Sequence, residues 1–325
     1  DFTAPSVVNL WKLAGEEFRF EFVNLVYSCS VMWLLDLVSA FYFTFLHHMY
    51  KWVIHRLTGK CELLRIVYSV APQAAITYGV ETSLRRSKSL SLRQLLILDI
   101  INPQDAIKKM MEIKRILPVE HPRFKPAMNI CLYQISGYKQ LIEEVDALRK
   151  IPYSSENEDH EKDLMKVWDS LQPDTPLESR ISKQWSDIGF QGDDPMTDFR
   201  GMGILGLKNL VYFVTSYSEQ ARKLLSHSNH PQYGYSLAIV GINITHLTLD
   251  LLRAGHLKTH FYNSIYQRPS LDHFHEAYCR LFVGFDGFWI AEKPKDIMEF
   301  NRVREAYRSN VILKLQDNSS ILPAM

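Results

Sequence analysis

The sequence predicts an all-α protein. Between residues 101 and 317, apolar side chains recur at steps of three and four, and no stretch alternates apolar and polar residues over the length of a strand. Prolines and capping residues separate these stretches, as is typical of helix ends. With 325 residues, the chain has room for one large domain or two small ones.

Three helices are predicted in the first half of this helical region. Asn102 and Pro103 supply a cap and a first turn for a helix that runs to about Leu117 and stops at Pro118. The next two are marked by apolar stripes and ended by prolines: Cys131, Ile135, Tyr138, Ile142 and Val145 before Pro152, and Leu164, Val167, Trp168 and Leu171 before Pro173.

Five further helices are predicted after Pro173. The sequence TPLE at 175–178 has the form of a capping box, so a helix is expected from there to Gly189, which is placed to end it in a left-handed conformation. Its inner face would carry Leu177, Ile181, Trp185 and Ile188. Two of the other helices are expected to begin at the box SYSE (216–219) and at Ser270. A third carries the apolar stripe from Leu237 to Leu251 and ends near Gly255, and the last runs from Pro294 to about Leu315.

Composition limits the kinds of partner. Lysine plus arginine (37) and aspartate plus glutamate (36) nearly cancel, so no overall field attracts nucleic acid. The four cysteines lie far apart in sequence, a pattern typical of free thiols in a reducing compartment. Pairs such as His256 with His260, and His273 with His275, are expected to be core or surface histidines, because zinc needs three or four converging ligands. No metal or cofactor site is predicted.

The N-terminal region has a different character. Residues 22–46 are aromatic and aliphatic with a single charge, Asp36, and the stretch is long enough to cross a bilayer as a helix. A carboxylate near the middle costs roughly 2.5 to 3.5 kcal/mol on insertion scales and argues against a simple span. Histidines, lysines and arginines interleaved with Tyr50 and Trp52 follow, as at a membrane interface.

Membrane association through residues 22–46 is therefore expected, and spanning and interfacial attachment both remain open. The alternative is a helical hairpin buried in the main fold. The predicted organisation is a hydrophobic N-terminal segment (1–58), a connecting region with a basic, serine-rich loop at 85–93 (59–100), a helical domain (101–317) and a short tail (318–325).

The sequence GMGILG at 201–206 fits the dinucleotide-binding pattern GxGxxG letter for letter. That pattern binds nucleotide only after a buried strand, and the preceding GDDPMTDFR cannot form one. The glycines are instead expected to allow tight turns and close helix approach. No GxxxxGK[ST] loop is present in the sequence, so the chain is not expected to hold its own nucleoside triphosphate.

Arg200 stands between an acidic loop and these glycines, and two interpretations of it are open. In the first, Asp193, Asp194 or Asp198 pairs with it and fixes the loop. In the second it is exposed on a stiffened loop, where its five fixed donors can enter the phosphate site of another protein. Pro195 limits the freedom of the loop, and aromatic residues at 185, 190 and 199 are placed to anchor it.

These residues also resemble a known family. The spaced pattern Trp185, Gly189, Phe190, Gln191, Pro195, Thr197, Asp198, Phe199, Arg200, Gly201, Gly203, Leu207 and Leu210 is similar to the signature of the ELMO domain-containing proteins. Segments at 57–66, 129–141, 234–245 and 296–307 are similar as well, so the resemblance covers roughly residues 51–315. It implies a single multi-helix ELMO-type domain preceded by the hydrophobic N-terminal helical segment.

The resemblance implies a GTPase-activating protein for GTP-bound Arf or Arf-like small GTPases. Arg200 would be the residue required for activity, and the other signature residues would contact the partner or shape the loop. GTP and Mg²⁺ would belong to the partner, at the cytosolic face of an intracellular membrane such as the endoplasmic reticulum, a lipid droplet or a mitochondrion. The alternative is a non-catalytic scaffold or membrane tether that recruits small GTPases or a Rac exchange factor.

Overall fold

The computed structural model describes residues 47–96 and 103–325, and within those ranges it is built from helices without a strand. The prediction of an all-α fold is confirmed. The hydrophobic stretch 22–46 lies outside the described residues. The α-helices are α1 His47–Thr58, α2 Glu62–Val67, α3 Gln73–Arg85, α4 Leu90–Gln94, α5 Pro103–Lys114, α6 Phe124–Lys150, α7 Glu158–Leu171, α8 Gly203–Ser216, α9 Ser218–Ser228, α10 Leu237–Arg253, α11 Lys258–Ser264, α12 Leu271–Glu292 and α13 Phe300–Leu315.

The chain divides into two compact units, Asp1–Arg65 and Ile66–Met325. In the first unit, α1 exposes the large apolar side chains Met49, Trp52 and Leu57. The second unit contains the helices that were predicted for the main domain. It also includes α3 and α4, which lie in the segment predicted to be a connecting region.

Several predicted helix ends agree with the structure. Helix α6 ends at Lys150, two residues before Pro152, and α7 ends at Leu171, two residues before Pro173. Helix α12 begins after Ser270, which forms a capping box with His273. Gly255, with φ of 79°, follows the end of α10 as expected. In these places the local sequence determines the boundary, because proline cannot extend a helix and serine satisfies free backbone donors.

The helix predicted from 175 to 188 is wrong. Only its last part is helical, as a 3₁₀-helix from Lys183 to Ile188 capped by Ser182. The preceding backbone is bonded to distant groups instead: Trp168 donates its indole N–H to the Thr175 carbonyl oxygen (2.8 Å), and the Glu178 N–H is bonded to the Gln184 side chain (2.8 Å). Tertiary partners therefore override the capping-box signal, and Ile181, predicted to face inward, is exposed.

Three other expectations also need correction. The SYSE box does not cap a helix, because Ser216 is the last residue of α8 and α9 starts at Ser218 without a side-chain cap. The final helix starts later than Pro294: Asp296 caps a short 3₁₀-helix, Ile297–Glu299, and α13 follows it. The predicted loop at 85–93 contains part of α4, which buries Leu92 fully.

The core lies around α8, which packs against α6, α7, α10 and α12. Its apolar residues and those of its neighbours form one cluster rich in aromatic side chains, of which the largest fully buried are Trp168, Trp185, Trp289, Tyr262, Tyr278, Phe199, Phe213, Phe261, Phe274, Phe282 and Phe285. Two of these, Trp185 and Phe199, belong to the segment before α8 that contains Arg200. That segment is therefore attached directly to the core.

Within the described ranges, no single helix is both long and apolar enough to cross a bilayer. Helices α10 and α11, bent by 83° relative to each other, together have the length and the apolar composition of a membrane span, and only these two properties support such a role.

Two buried histidines are held neutral by the core. The imidazole of His275 is bonded to Asn209 (2.6 Å), and His260 Nδ1 accepts the Leu322 N–H (3.2 Å). Burial lowers the pKa of each histidine to about 4. Across the described parts of the chain, no group of three histidine, cysteine or acidic side chains is arranged to hold a metal ion.

These two histidines predict acid sensitivity. The unfolded chain takes up protons below about pH 6.5, whereas the folded protein resists protonation of His260 and His275 until about pH 4. Each histidine should therefore remove about 1 kcal/mol of stability per pH unit as the pH falls through this window. Chemical denaturation at a series of pH values measures the slope. His275→Gln should flatten it, exposed His246→Gln should not, and equal slopes in all three proteins would contradict the prediction.

Candidate functional site

Arg180 connects the loop before α8 to α7. Its Nε lies 2.5 Å from Glu161 Oε2, its Nη1 lies 3.0 Å from Asp194 Oδ1, and its Nη2 donates to the Tyr153 hydroxyl at 3.2 Å. Tyr153 in turn donates to the other oxygen of Glu161. Partial burial opposes the charge of Arg180, but its hydrogen bonds to Glu161 and Tyr153 outweigh this and raise its pKa. We call this group of four residues the Arg180 clamp.

A row of aromatic rings lies beneath the same loop. Trp168 contacts Trp185 edge to face (5.5 Å between centroids), Trp185 contacts Phe190 (5.7 Å), and Phe190 contacts Phe199 (5.7 Å). Phe199 then stacks on Tyr153 of the clamp at 5.3 Å. Such ring pairs stabilise by about 0.5–1.5 kcal/mol each beyond the burial of area. The prediction that the aromatic residues anchor this loop agrees with these contacts.

Glycine is required at two points where the loop touches other backbone. At Gly189, with φ of 86°, a Cβ atom would overlap the backbone N of Leu237. At Gly203, with φ of 53°, it would overlap the carbonyl oxygens of Ile151 and Arg149. The second glycine of the GMG sequence therefore has the geometric role expected for it. By contrast, a Cβ atom on Gly201 would meet nothing within 4 Å.

A short 3₁₀-helix, Pro195–Arg200, carries the arginine. Asp194 caps it by accepting the Met196 N–H (3.0 Å), and Pro195 occupies the first helical position, where its missing N–H is not needed. Asp198 Oδ2 accepts the Gln191 N–H at 2.8 Å and so links the two halves of the loop. Burial raises the pKa of Asp198, and the hydrogen bond from Gln191 opposes that rise.

The guanidinium of Arg200 is exposed at the end of this helix. In the described part of the chain it takes part in no hydrogen bond and no ion pair. Of the three acids expected to pair with it, Asp194 is held by Arg180 and Asp198 accepts the Gln191 N–H, and neither these nor Asp193 forms an ion pair with Arg200 in the described structure. The charge of Arg200 only opposes the rise in the pKa of Asp198. The first interpretation of Arg200, as a structural clamp, is therefore not supported, since that role belongs to Arg180.

The structure brings the predicted residues together in two layers. Trp185, Phe190, Pro195, Phe199 and Gly203 are buried beneath the loop. Gln191, Thr197, Arg200 and Gly201 are exposed on its surface, and Asp198 is half-buried between the layers. The surface layer presents one positive charge, amide and hydroxyl groups, and open space above Gly201, an arrangement suited to an anionic group on another molecule.

Arg180, Glu161 and Tyr153 were missed by sequence reasoning. Arg180 and Lys183 are the two cations between Lys166 and Arg200, in a segment rich in aspartate and glutamate. Because acidic residues outnumber these two cations in the segment, one of the cations is expected to pair with an acid. This pattern does not identify the partner, because Glu161 lies 19 residues away in sequence and is brought close only by the turn after α7.

The two arginines are expected to differ in their effect on stability. Arg180→Met leaves half-buried Glu161 and Asp194 without their cation and should cost about 2 kcal/mol of the free energy of unfolding. Arg200→Met breaks no hydrogen bond or ion pair in the described structure and should change the free energy of unfolding by less than about 0.5 kcal/mol. Urea denaturation of both variants measures the difference. Equal losses, or a larger loss at Arg200, would contradict this assignment of roles.

Sequence comparisons agree with the resemblance in the loop. The profile of the ELMO/CED-12 family matches residues 143–304. The chain is 48% identical over 301 residues to ELMO domain-containing protein 1 of Pongo abelii, covering 87% of this chain and 92% of the relative. It is 48% identical over 277 residues to ELMO domain-containing protein 2 of Bos taurus, covering 85% and 94%.

A more distant relative is ELMO domain-containing protein B of Dictyostelium discoideum, which is 38% identical over 282 residues, covering 86% of this chain and 96% of the relative. The spacing between His230 and Tyr235 predicts the greatest similarity to the second vertebrate member, but the identity of 48% is the same to ELMO domain-containing proteins 1 and 2 and does not distinguish them. Because these identities extend over most of this chain and over most of each relative, this protein belongs to the ELMO/CED-12 family.

Proposed function

We propose that this protein is a GTPase-activating protein for Arf or Arf-like small GTPases and that Arg200 acts in trans as its arginine finger. The observation that carries the proposal is an exposed guanidinium, without a hydrogen bond or ion pair in the described structure, on a 3₁₀-helix that is held at several points. The resemblance of the loop to the ELMO domain signature supplies the identity of the partner.

The chemistry of the proposal is electrostatic. During GTP hydrolysis, negative charge spreads over the oxygens of the γ-phosphoryl group as it leaves the nucleotide. A guanidinium placed against those oxygens accelerates the reaction by about 10³ to 10⁵, which corresponds to about 4 to 7 kcal/mol. The partner supplies GTP, Mg²⁺ and the attacking water. This chain supplies Arg200 and the surface that aligns it.

Residues beside Arg200 suit close docking. The space around Gly201 is open, so a partner can approach the backbone there. The Gln191 side chain is exposed while its backbone N–H is fixed by Asp198. We assign Gln191 and Thr197 to contact with the switch region of the partner, because both present polar groups beside the arginine.

The alternative is a non-catalytic protein that recruits small GTPases or a Rac exchange factor without accelerating hydrolysis. In that case Arg200 contributes to binding alone, and its removal weakens the complex without changing the rate of hydrolysis within it. The same surface serves both alternatives, so the rate of hydrolysis at saturating protein distinguishes them.

Arg200 variants test the proposal in single-turnover hydrolysis by a panel of GTP-loaded Arf and Arf-like proteins. Arg200→Ala should reduce the acceleration by about 10³ or more. Arg200→Lys should be nearly as damaging, because lysine keeps the charge but lacks the planar fork that reaches two oxygens at once. Exposed Arg123→Ala, a residue without a side-chain bond in the described structure, is the matched control and should keep full activity.

Three results would count against the finger. An Arg200→Lys protein with the wild-type rate would show that forked geometry is not needed. Binding to a GTP-loaded partner without acceleration by the unmodified protein would favour the recruitment alternative. Loss of activity in Arg123→Ala to the same extent as in Arg200→Ala would show that the effect is not specific to the loop.

Membrane association through residues 22–46 is a second part of the proposal and places the protein on the cytosolic face of an intracellular membrane. Its support is the apolar sequence together with the exposed Trp52 and Leu57 of α1. Flotation of the full chain with anionic vesicles should carry it to the lipid layer, and Phe43→Asp with Leu46→Asp should reduce this. Unchanged flotation of the double variant would contradict the assignment. Alkaline extraction then separates spanning from interfacial attachment.

A further inference from the structure

A cavity of about 700 Å³ lies between the end of α3, α4, the middle of α6 and the turn that joins α10 to α11. Its volume is within the range of small-molecule sites in proteins. All of its lining residues belong to the unit that begins at Ile66. The cavity contains none of the residues in the Arg200 loop or in the Arg180 clamp.

The wall of this cavity is strongly basic. Five cationic side chains line it from separate elements, namely Arg85, Arg93, Lys139, Arg253 and Lys258, together with the single carboxylate Glu81. Among the lining residues, cations therefore outnumber acids by four, although Arg253 pairs with Asp146 from outside the wall and Lys139 has a partner as well. The whole chain has a net charge of only +1, so this surplus is a local feature of the fold.

Glu81 cancels one of these positive charges and positions two of the cations. Its carboxylate is almost fully buried and accepts from Arg85 Nη2 at 2.6 Å and from Lys258 Nζ at 2.9 and 3.0 Å. Lys258 also lies 5.7 Å from the centre of the Tyr138 ring. One buried acid thus positions two cations, and the largely buried Lys258 needs little further ordering when a ligand binds.

The other part of the wall is apolar. Leu95, Leu96, Ile135 and Ile142 line the cavity and are only partly buried, and Leu90 is exposed at 60% of its surface. Apolar side chains left open to a cavity gain about 25 cal/mol per Å² when a ligand covers them. A small inorganic anion would satisfy the cations and leave this surface in water. A neutral lipid would cover the surface and leave the cations without an anion.

We propose that this cavity binds a phosphate-bearing amphiphile, with the phosphate against the basic side chains and the acyl chains on the leucine and isoleucine surface. The occupant is a single anionic phospholipid molecule. Arg93, which donates to the Ser87 carbonyl oxygen through Nη1 (2.7 Å), contributes further guanidinium donors at the rim. The site is separate from the proposed GTPase surface and does not depend on that activity.

Binding is tested with the full chain and dihexanoyl phosphatidic acid below its micelle concentration, by calorimetric titration. The unmodified protein should bind it saturably. Inorganic phosphate should bind at least about tenfold more weakly, because it lacks the acyl chains. Dihexanoyl phosphatidylcholine should also bind at least about tenfold more weakly, because its headgroup has no net charge.

Variants of the wall locate the site. Arg93→Glu with Lys139→Glu reverses two exposed charges and should weaken binding by at least about tenfold, whereas exposed Lys88→Glu, outside the wall, should stay within about twofold. Ile142→Asn tests the apolar surface and should also weaken binding, with thermal unfolding confirming that each variant is folded. The proposal is overturned by absent saturable binding, by equal binding of phosphate or phosphatidylcholine, or by an unaffected charge-reversal variant.

Discussion

The candidate site depends on how the charges of one loop are distributed between two arginines. Arg180 is partly buried and binds Glu161, Asp194 and Tyr153 together, so it fixes the start of the 3₁₀-helix that carries Arg200. Because Asp194 is occupied in this way and Asp198 accepts the Gln191 N–H, neither acid forms an ion pair with Arg200 in the described structure, although the charge of Arg200 still opposes the rise that burial causes in the pKa of Asp198. An exposed pair at Arg200 would add at most about 1 kcal/mol to stability. Leaving that arginine unpaired therefore costs the fold little.

The clamp acts together with the core beneath it. Phe199 stacks on Tyr153, which is itself a clamp residue, so the charged group and the aromatic row share a side chain. Gly189 and Gly203 hold the two ends of the loop against backbone of neighbouring segments, where any larger residue would overlap. The loop thus has a fixed backbone on a packed base, although Gln191, Thr197 and Arg200 on its outer side are exposed.

Local signals in the sequence were enough for the fold class and for several boundaries. Proline after α6 and α7, Ser270 before α12 and Gly189 in a left-handed turn act on the backbone next to them, and each lies where it was predicted. The TPLE box failed because its residues bond to Trp168 and Gln184, which no local rule anticipates. For the same reason the pairing of Arg180 with Glu161 was not predicted, and the sequence left open whether Arg200 is paired or exposed. The aromatic anchors could be placed because they follow from the local pattern.

Rigidity of the loop decides how much of an arginine's charge is useful to a partner. Ordering one arginine side chain costs about 1.5–2 kcal/mol, which is well below the 4 to 7 kcal/mol that a finger contributes in a transition state. Ordering a flexible backbone costs about 1–2 kcal/mol for every residue. For the six residues of Pro195–Arg200, that cost is comparable to the whole contribution of the finger. Because the clamp, the aromatic row and the glycine contacts fix this backbone during folding, only the side chain of Arg200 would remain to be ordered in the proposed complex with a GTPase.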